Sequence, residues 1–220
     1  MLLYYISDRT QFPGDQARRR ERLLQKIGEA ARAGVDLIQL REKDMCIRDL
    51  EELAREAVRV VRQAGTTTRL LINSRSDVAI AVGAHGVHLT SKDIPAGDAR
   101  VIFAKAGVLN PVIGVSCHSV EEVRMAESQG ADFAVFGPVF AKSGQAGVGV
   151  DELRTACSRM TAVANVEGPG ARGMPVLALG GVDAQNARAC LEAGAAGVAG
   201  IRLFQQDAVA GLVARLRVVL

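Results

Sequence analysis

The stretch Gln39-Leu40-Arg41-Glu42-Lys43-Asp44 sets an amide and two cations at every second position. In an extended chain successive side chains point to opposite faces, so Gln39, Arg41 and Lys43 share one side and Leu40 and Glu42 the other. A planar guanidinium fork beside a mobile ammonium suits phosphate or pyrophosphate oxygens, and a ring of salt bridges is the competing reading. Gly180-Gly181 and Gly200-Ile201 are turns where backbone can approach a ligand closely and N–H groups at a following helix start can hold an anion; tight turns without a ligand explain the same glycines. Asn73, Asp93, Ser116 and His118 add oxygens and an imidazole. Asp93 is the candidate ligand for Mg²⁺, which takes few protein ligands and keeps waters and substrate phosphates for the rest. The alternative for Asp93 is a cap on a helix begun near Ile94. His85, in a turn, and His88, inside an apolar strand, read as structural. Cys46, Cys117, Cys157 and Cys190 form no C-x-x-C pair, which argues against a metal finger and against a cysteine nucleophile.

Groups so far apart in the chain meet only if regular elements carry them to one place. One phrase recurs four times: Ala33-Gly34-Val35-Asp36, Val82-Gly83-Ala84-His85, Gln129-Gly130-Ala131-Asp132 and Ala193-Gly194-Ala195-Ala196. Each reads as a helix end capped by Gly and running into a strand buried on both faces. Reading outward predicts eight strands: Leu2–Ser7, Val35–Leu40, Arg69–Asn73, Gly86–Leu89, Val112–Cys117, Phe133–Val139, Pro175–Leu179 and Gly197–Leu203. Helical patterns alternate with them: Gln16–Ala33, Ile47–Ala64, Asp77–Val82, Ala96–Ala106, Ser119–Gln129, Asp151–Ala164, Ala184–Ala193 and a closing Gln206–Val218. Strict β/α alternation predicts an α/β fold, a single (β/α)8 TIM barrel over residues 1–220, with its site at the C-terminal strand ends. A doubly wound sheet is the rival, disfavoured because no G-x-G-x-x-G turn follows the first strand. The segment Asn165–Gly173 is the clearest irregular loop.

Composition narrows the function classes. Of 220 residues 49% are hydrophobic and 4% aromatic, with 27 basic against 24 acidic side chains. That excludes a disordered chain, and no run approaches the ~20 apolar residues of a membrane span. The net charge of +3 is no nucleic-acid footprint, and the run Arg18-Arg19-Arg20 reads as a solvated helix face. Unpaired thiols and the absence of a signal-like start point to the cytoplasm. Small phosphorylated molecules are the expected partners, without nucleic acid or membrane, and a homo-oligomer stays open.

The chain resembles the thiamine phosphate synthase and thiazole tautomerase superfamily over nearly its whole length. The resemblance is carried by Tyr5-Ile6-Ser7-Asp8, Gln39-Leu40-Arg41-Glu42-Lys43, Leu71-Ile72-Asn73, Gly86-Val87-His88-Leu89 with Asp93, Ile113-Gly114-Val115-Ser116-Cys117-His118-Ser119, Phe136-Gly137-Pro138-Val139-Phe140 and Leu179-Gly180-Gly181-Val182. It implies a barrel in which Gly180, Gly181, Gly200 and Ile201 hold the phosphate of a hydroxyethylthiazole phosphate. It also implies that Gln39, Arg41, Lys43 and Asn73 meet an aminopyrimidine methyl pyrophosphate, with Ser116 and Asp93 placed for pyrophosphate chemistry and Mg²⁺. The implied activity is a transferase that releases pyrophosphate and makes thiamine phosphate, with Arg41, Lys43, Ser116 and His118 as catalytic candidates. Three positions depart from the pattern. Ser74 stands where the synthase has a second Mg²⁺ carboxylate. Lys142-Ser143-Gly144-Gln145 replaces a Thr-x-Thr-Lys loop, so Lys142 and Ser143 become substitute ligands from a mobile 141–149 lid. Pro138 occupies the place of the His used by the tautomerase branch, leaving His118 as its replacement. The alternatives are therefore a thiazole tautomerase, or a barrel that binds thiazole phosphate without chemistry.

Overall fold

Short aliphatic runs form eight strands: β1 (Leu2–Ile6), β2 (Leu37–Leu40), β3 (Arg69–Asn73), β4 (Gly86–Leu89), β5 (Val112–Cys117), β6 (Phe133–Phe136), β7 (Val176–Leu179) and β8 (Gly197–Gly200). Between and after them lie α1 (Gln16–Arg32), α2 (Ile47–Gln63), α3 (Ser76–Val82), α4 (Ala96–Lys105), α5 (Val120–Ser128), α6 (Val150–Ser158), α7 (Ala187–Glu192), α8 (Arg202–Gln206) and α9 (Val209–Val218). This computed structural model describes residues 1–141, 144, 146–158, 173–206 and 208–218. Each strand pairs in parallel with the next and β1 pairs with β8, so the sheet closes as the (β/α)8 barrel expected. Lys142, Ser143, the expected helical stretch 159–164 and most of the 165–173 loop lie outside the described residues.

The period of two sorts the strand side chains. Tyr4, Ile6, Leu37, Leu71, Phe133, Val135 and Leu177 pack with one another inside the barrel. Their chain neighbours, such as Leu3, Ile38, Leu40 and Ile72, pack under the helices. Helix α2 shows why the outer layer docks: Leu50, Leu53, Ala54, Ala57, Val58 and Val61 recur every three or four residues and all are buried. Each fully buried Leu contributes about 1.5–3 kcal/mol. The opposite face carries charge, and Arg20 of α1 pairs with Glu56 across the helix boundary at 3.4 Å.

The recurring phrase has a second function at the bottom of the barrel. Gly34, Gly83, Gly130 and Gly194 all take positive φ after their helices, as the pattern predicts. In three of the four, the residue two places on accepts a strand amide. Asp36 Oδ2 accepts from Leu3 N at 2.7 Å, His85 Nδ1 from Leu70 N at 3.0 Å and Asp132 Oδ2 from Ile113 N at 2.7 Å. These acceptors tie down the starts of β1, β3 and β5, and His85 is thereby structural.

Several boundaries differ from expectation, among them the start of α7, at Ala187 where Ala184 was expected. Strand β2 begins at Leu37, and β6 stops at Phe136 because Pro138, after a cis Gly137-Pro138 peptide, has no N–H for the ladder. Strand β8 stops at Gly200, where α8 begins almost at once, and the closing helix starts at Val209. Helix α4 starts at Ala96, with Pro95 at its cap position.

The lumen also holds more aromatic surface than a 4% content suggests. Tyr4 meets Phe133 edge-on at 5.3 Å between centroids, and His88 lies 5.6 Å from Tyr4 and 5.9 Å from Phe133. Gly114 makes this cluster fit, because a Cβ there would lie 2.3 Å from Phe133 Cζ and 2.7 Å from His88 Nδ1. Gly114→Ala is therefore expected to destabilise the protein by about 1–3 kcal/mol through overpacking, read as a lower midpoint in chemical denaturation.

Candidate active site

The strand ends bring most of the sequence candidates to one mouth. Gln39 shares its face of β2 with lumen-facing Leu37 and is buried, and its Nε2 has no hydrogen-bond partner. A buried amide donor without a partner is rare enough to mark a place completed by a ligand or water. Arg41 is half-buried and close enough to His88 for its charge to act on that imidazole, which sets it over the lumen. Lys43 lines a cleft of about 350 Å³ with Asn73, Ser74 and Arg75. A roomier cleft of about 550 Å³ lies beside α1, lined by Phe12, Arg22, Lys26 and Gln205, and holds none of these residues.

Neither Arg41 nor Lys43 forms an ion pair with a described residue, so among the described residues neither cation belongs to the salt-bridge ring of the competing reading. The neighbouring acids Glu42 and Asp44 pair with Arg9 instead.

Across the cleft, four side chains form a chain of hydrogen bonds. Asn73 Nδ2 donates to Ser74 Oγ at 3.0 Å, and Ser74 Oγ donates to Asp93 Oδ2 at 2.7 Å. Thr90 adds its N–H at 2.6 Å and its hydroxyl at 2.9 Å to the same Oδ2. Asp93 thus closes the turn after β4 and does not cap α4, which is the correction to its capping alternative. Ser74 sits at φ 58°, an unusual conformation for a residue with a side chain. Asp93 Oδ1 accepts no hydrogen bond among the described residues, and no group of three or more His, Cys, Asp or Glu forms a metal cluster among them. One carboxylate oxygen fits Mg²⁺ only in its water-rich form, with substrate phosphates supplying further ligands.

On the next strands His88 Nε2 lies 2.9 Å from Ser116 Oγ. Burial pushes the His88 pKa down to about 3; the nearby Asp93 raises it and Arg41 lowers it further. His88 is therefore a neutral imidazole behind Ser116. Because its Nδ1 has no partner, the tautomer with the proton on Nε2 leaves only a bare lone pair buried, and it directs the Ser116 hydroxyl hydrogen outward. His118 Nδ1 lies 2.6 Å from the Gly137 carbonyl, which fixes that ring against the end of β6. The thiols of Cys117, Cys157 and Cys190 are buried and pushed up to about 12, 11 and 11 by desolvation, so they stay protonated near neutrality and are no nucleophiles.

The glycine turns complete the rim. Gly181 is left-handed at φ 63°, and a Cβ there would meet Phe140 Cβ at 2.8 Å. The N–H groups of Gly181 and Ile201 donate to no described residue, which leaves two amides for an anion. A Cβ on Gly200 would meet Leu203 Cβ at 2.8 Å, so glycine also allows the tight entry into α8.

Sequence reasoning missed Thr90 and the part played by His88. Both were open to the same alternation that singled out Gln39, since His88 pairs with Asn73 on one side and Gly114 on the other and faces the lumen with them. Its apolar surroundings masked that signal.

Comparison with known proteins assigns the family and the fold. Residues 3–204 match the family described as thiamine monophosphate synthase. The chain is 40% identical over 209 residues to a putative thiamine-phosphate synthase of Geobacter sulfurreducens, covering 93% of this chain and 87% of that one. It is 37% identical over 173 residues to the thiamine-phosphate synthase of Haloarcula marismortui, covering 79% and 77%. Among solved structures, a thiamine phosphate pyrophosphorylase from Pyrococcus furiosus superposes with a TM-score of 0.77 at 30% identity, covering 99% of this chain and 94% of that one. By sequence match along almost its whole length, and by a barrel of the same form, this chain belongs to the thiamine monophosphate synthase family.

Proposed function

We propose that this protein is a thiamine-phosphate synthase, joining an aminopyrimidine methyl pyrophosphate to hydroxyethylthiazole phosphate with release of pyrophosphate. The observation that carries this reading is the pair of cations, Arg41 and Lys43, unpaired among the described residues, one just past the buried, partnerless amide of Gln39 and the other lining the adjoining cleft with Asn73. Cations left without an acid partner are available to a multiply charged leaving group.

In this reading Gln39 and Asn73 hold the pyrimidine end, while Arg41, Lys43 and Ser116 face the pyrophosphate. The bond between the pyrimidine methylene carbon and the pyrophosphate oxygen breaks heterolytically, and its electron pair leaves with pyrophosphate. The thiazole nitrogen lone pair then forms the new carbon–nitrogen bond, giving a thiazolium without loss of a proton. The protein supplies electrostatic stabilisation of the departing charge and proximity of the nucleophile. Gly180, Gly181, Gly200 and Ile201 hold the thiazole phosphate through backbone amides, and Lys142 and Ser143 are proposed to join from the 141–149 loop. Mg²⁺, when bound with substrate, neutralises pyrophosphate oxygens, and Asp93 Oδ1 is the group that would hold it. Ser116, backed by neutral His88, directs a hydroxyl hydrogen at the leaving group.

The tautomerase alternative lacks support at its acid/base position. That place is Pro138, and His118 is engaged through Nδ1 with the Gly137 carbonyl. No helix among the described residues is long and apolar enough to cross a membrane. Unpaired cysteines suit a reducing compartment, and we place the protein in the cytoplasm.

Three measurements test this reading. With Mg²⁺ and both phosphorylated substrates, a coupled pyrophosphate-release assay should show turnover that Arg41→Ala lowers by about 10²–10³-fold. Unchanged turnover in that variant would overturn the assignment. Chelation with EDTA should abolish the reaction, and Asp93→Asn should raise the Mg²⁺ concentration needed for half-maximal rate by about tenfold.

The third concerns His88. Its folded pKa of about 3 lies below the ordinary value of 6.5, so below pH 6.5 the unfolded chain takes up a proton that the folded one refuses. This imidazole therefore makes stability fall as pH drops from about 6.5 toward 3, and His88→Gln should flatten that slope in melts recorded at pH 7 and 5. An identical slope in the variant would contradict the neutral, buried assignment.

A further inference from the structure

The acids that alternate with Arg41 and Lys43 have a use of their own. Glu42 is almost fully buried on the side of β2 away from the lumen. Its Oε1 accepts from Ser7 Oγ at 2.5 Å, and its Oε2 accepts from the Arg9 N–H at 3.0 Å and from Arg9 NH1 at 3.2 Å. The same guanidinium grips Asp44, with NH1 donating to Oδ1 at 2.5 Å and NH2 to Oδ2 at 3.0 Å. Its NH2 also donates to Gln16 Oε1 at 3.2 Å. Ser7 Oγ, besides donating to Glu42, accepts the backbone N–H of Arg41 at 2.9 Å. Arg9 is itself buried, on the short 3₁₀ turn Arg9–Gln11 whose first turn Asp8 caps.

One guanidinium thus holds residues 42 and 44, and one hydroxyl holds the amide of residue 41. With Glu42 drawn outward just past the end of β2, its neighbour Arg41 is turned the other way, and the grip on Glu42 and Asp44 fixes the turn that carries Lys43. A planar fork spanning two carboxylates fixes direction as well as distance, which an ammonium does not.

We propose that Arg9, acting through Glu42 and Asp44 together with Ser7, is the positioning group that aims Arg41 and Lys43 at the substrate pyrophosphate. None of these four residues touches the reacting atoms. The inference rests on the pyrophosphate reading of the two cations given above. It makes the loop after β1 a determinant of affinity for one of the two substrates, although that loop supplies no ligand.

The test compares the two substrates in the full-length protein. Arg9→Lys keeps the charge and removes the fork. It should raise the KM for the pyrimidine pyrophosphate, and the calorimetric Kd for inorganic pyrophosphate with Mg²⁺, by about tenfold, while the KM for thiazole phosphate changes less than about twofold. A purely structural role would lower the active fraction and hence kcat, leaving both KM values alone or moving them together. Either of those results in folded Arg9→Lys overturns the proposal. Where Arg9→Lys does not yield folded protein, Ser7→Ala is read in the same way, since it removes the acceptor of the Arg41 amide without unpairing Arg9 from its acids. Wild-type protein that turns over both substrates while the variants keep wild-type pyrophosphate affinity sinks this inference alone. Wild-type protein that neither binds pyrophosphate nor turns over overturns the underlying reading and this inference with it.

Discussion

In a closed parallel barrel, a side chain two residues further along a strand returns to the same face one step nearer the mouth, and the sheet offers no edge at which this alternation can relax. The eight-stranded ladder here closes with β1 against β8, so every inward position is committed. Leu37, Gln39 and Arg41 follow one another up β2 as core, buried amide and mouth cation. Val112, Gly114 and Ser116 do the same on β5. The site is the place where the lumen ceases to be apolar, and its composition is dictated by which residues each strand has at its last inward positions.

Charge at the mouth is organised by separation. Glu42, Asp44, Asp93 and Glu122 lie near the strand ends, and among the described residues none of them pairs with Arg41 or Lys43. Glu42 is turned outward against Arg9, and burial raises its pKa although Ser7 and Arg9 oppose that shift. Asp44 shares the same guanidinium, which holds its carboxyl below the ordinary range. Asp93 has one oxygen saturated by hydroxyls and an amide, and Glu122 receives the His118 N–H at 2.6 Å. A buried, fully hydrogen-bonded acid is weak evidence for stability but strong evidence for a fixed geometry. Substitution of Ser74 for a second carboxylate fits the same arrangement, because the hydroxyl donates to Asp93 where a second anion would repel it.

The aromatic cluster of Tyr4, His88 and Phe133 links core to chemistry. It fills the lumen below Ser116 and excludes water from the imidazole, and that exclusion keeps His88 neutral. The missing side chain at Gly114 is what allows three rings at one level. Packing and proton state are therefore one property at this depth of the barrel.

From sequence alone, the repeated phrase with Gly at a helix end and the eightfold alternation determined the barrel, because helix caps and doubly buried strands are local patterns that leave local marks. The period of two likewise placed Gln39 with lumen-facing Leu37, whereas Lys43 lies in the turn past the end of β2, where that period no longer applies. Tertiary structure alone decided the rest: that Glu42 and Asp44 find Arg9 more than thirty residues earlier, that Asp93 closes a turn through Ser74 and Thr90, and that His88 stands behind Ser116. Most of these contacts join residues on or just past different strands, and no period along one segment encodes them. Which partner a polar side chain finds depends on the register and closure of the whole sheet, and that is a property of all eight strands together.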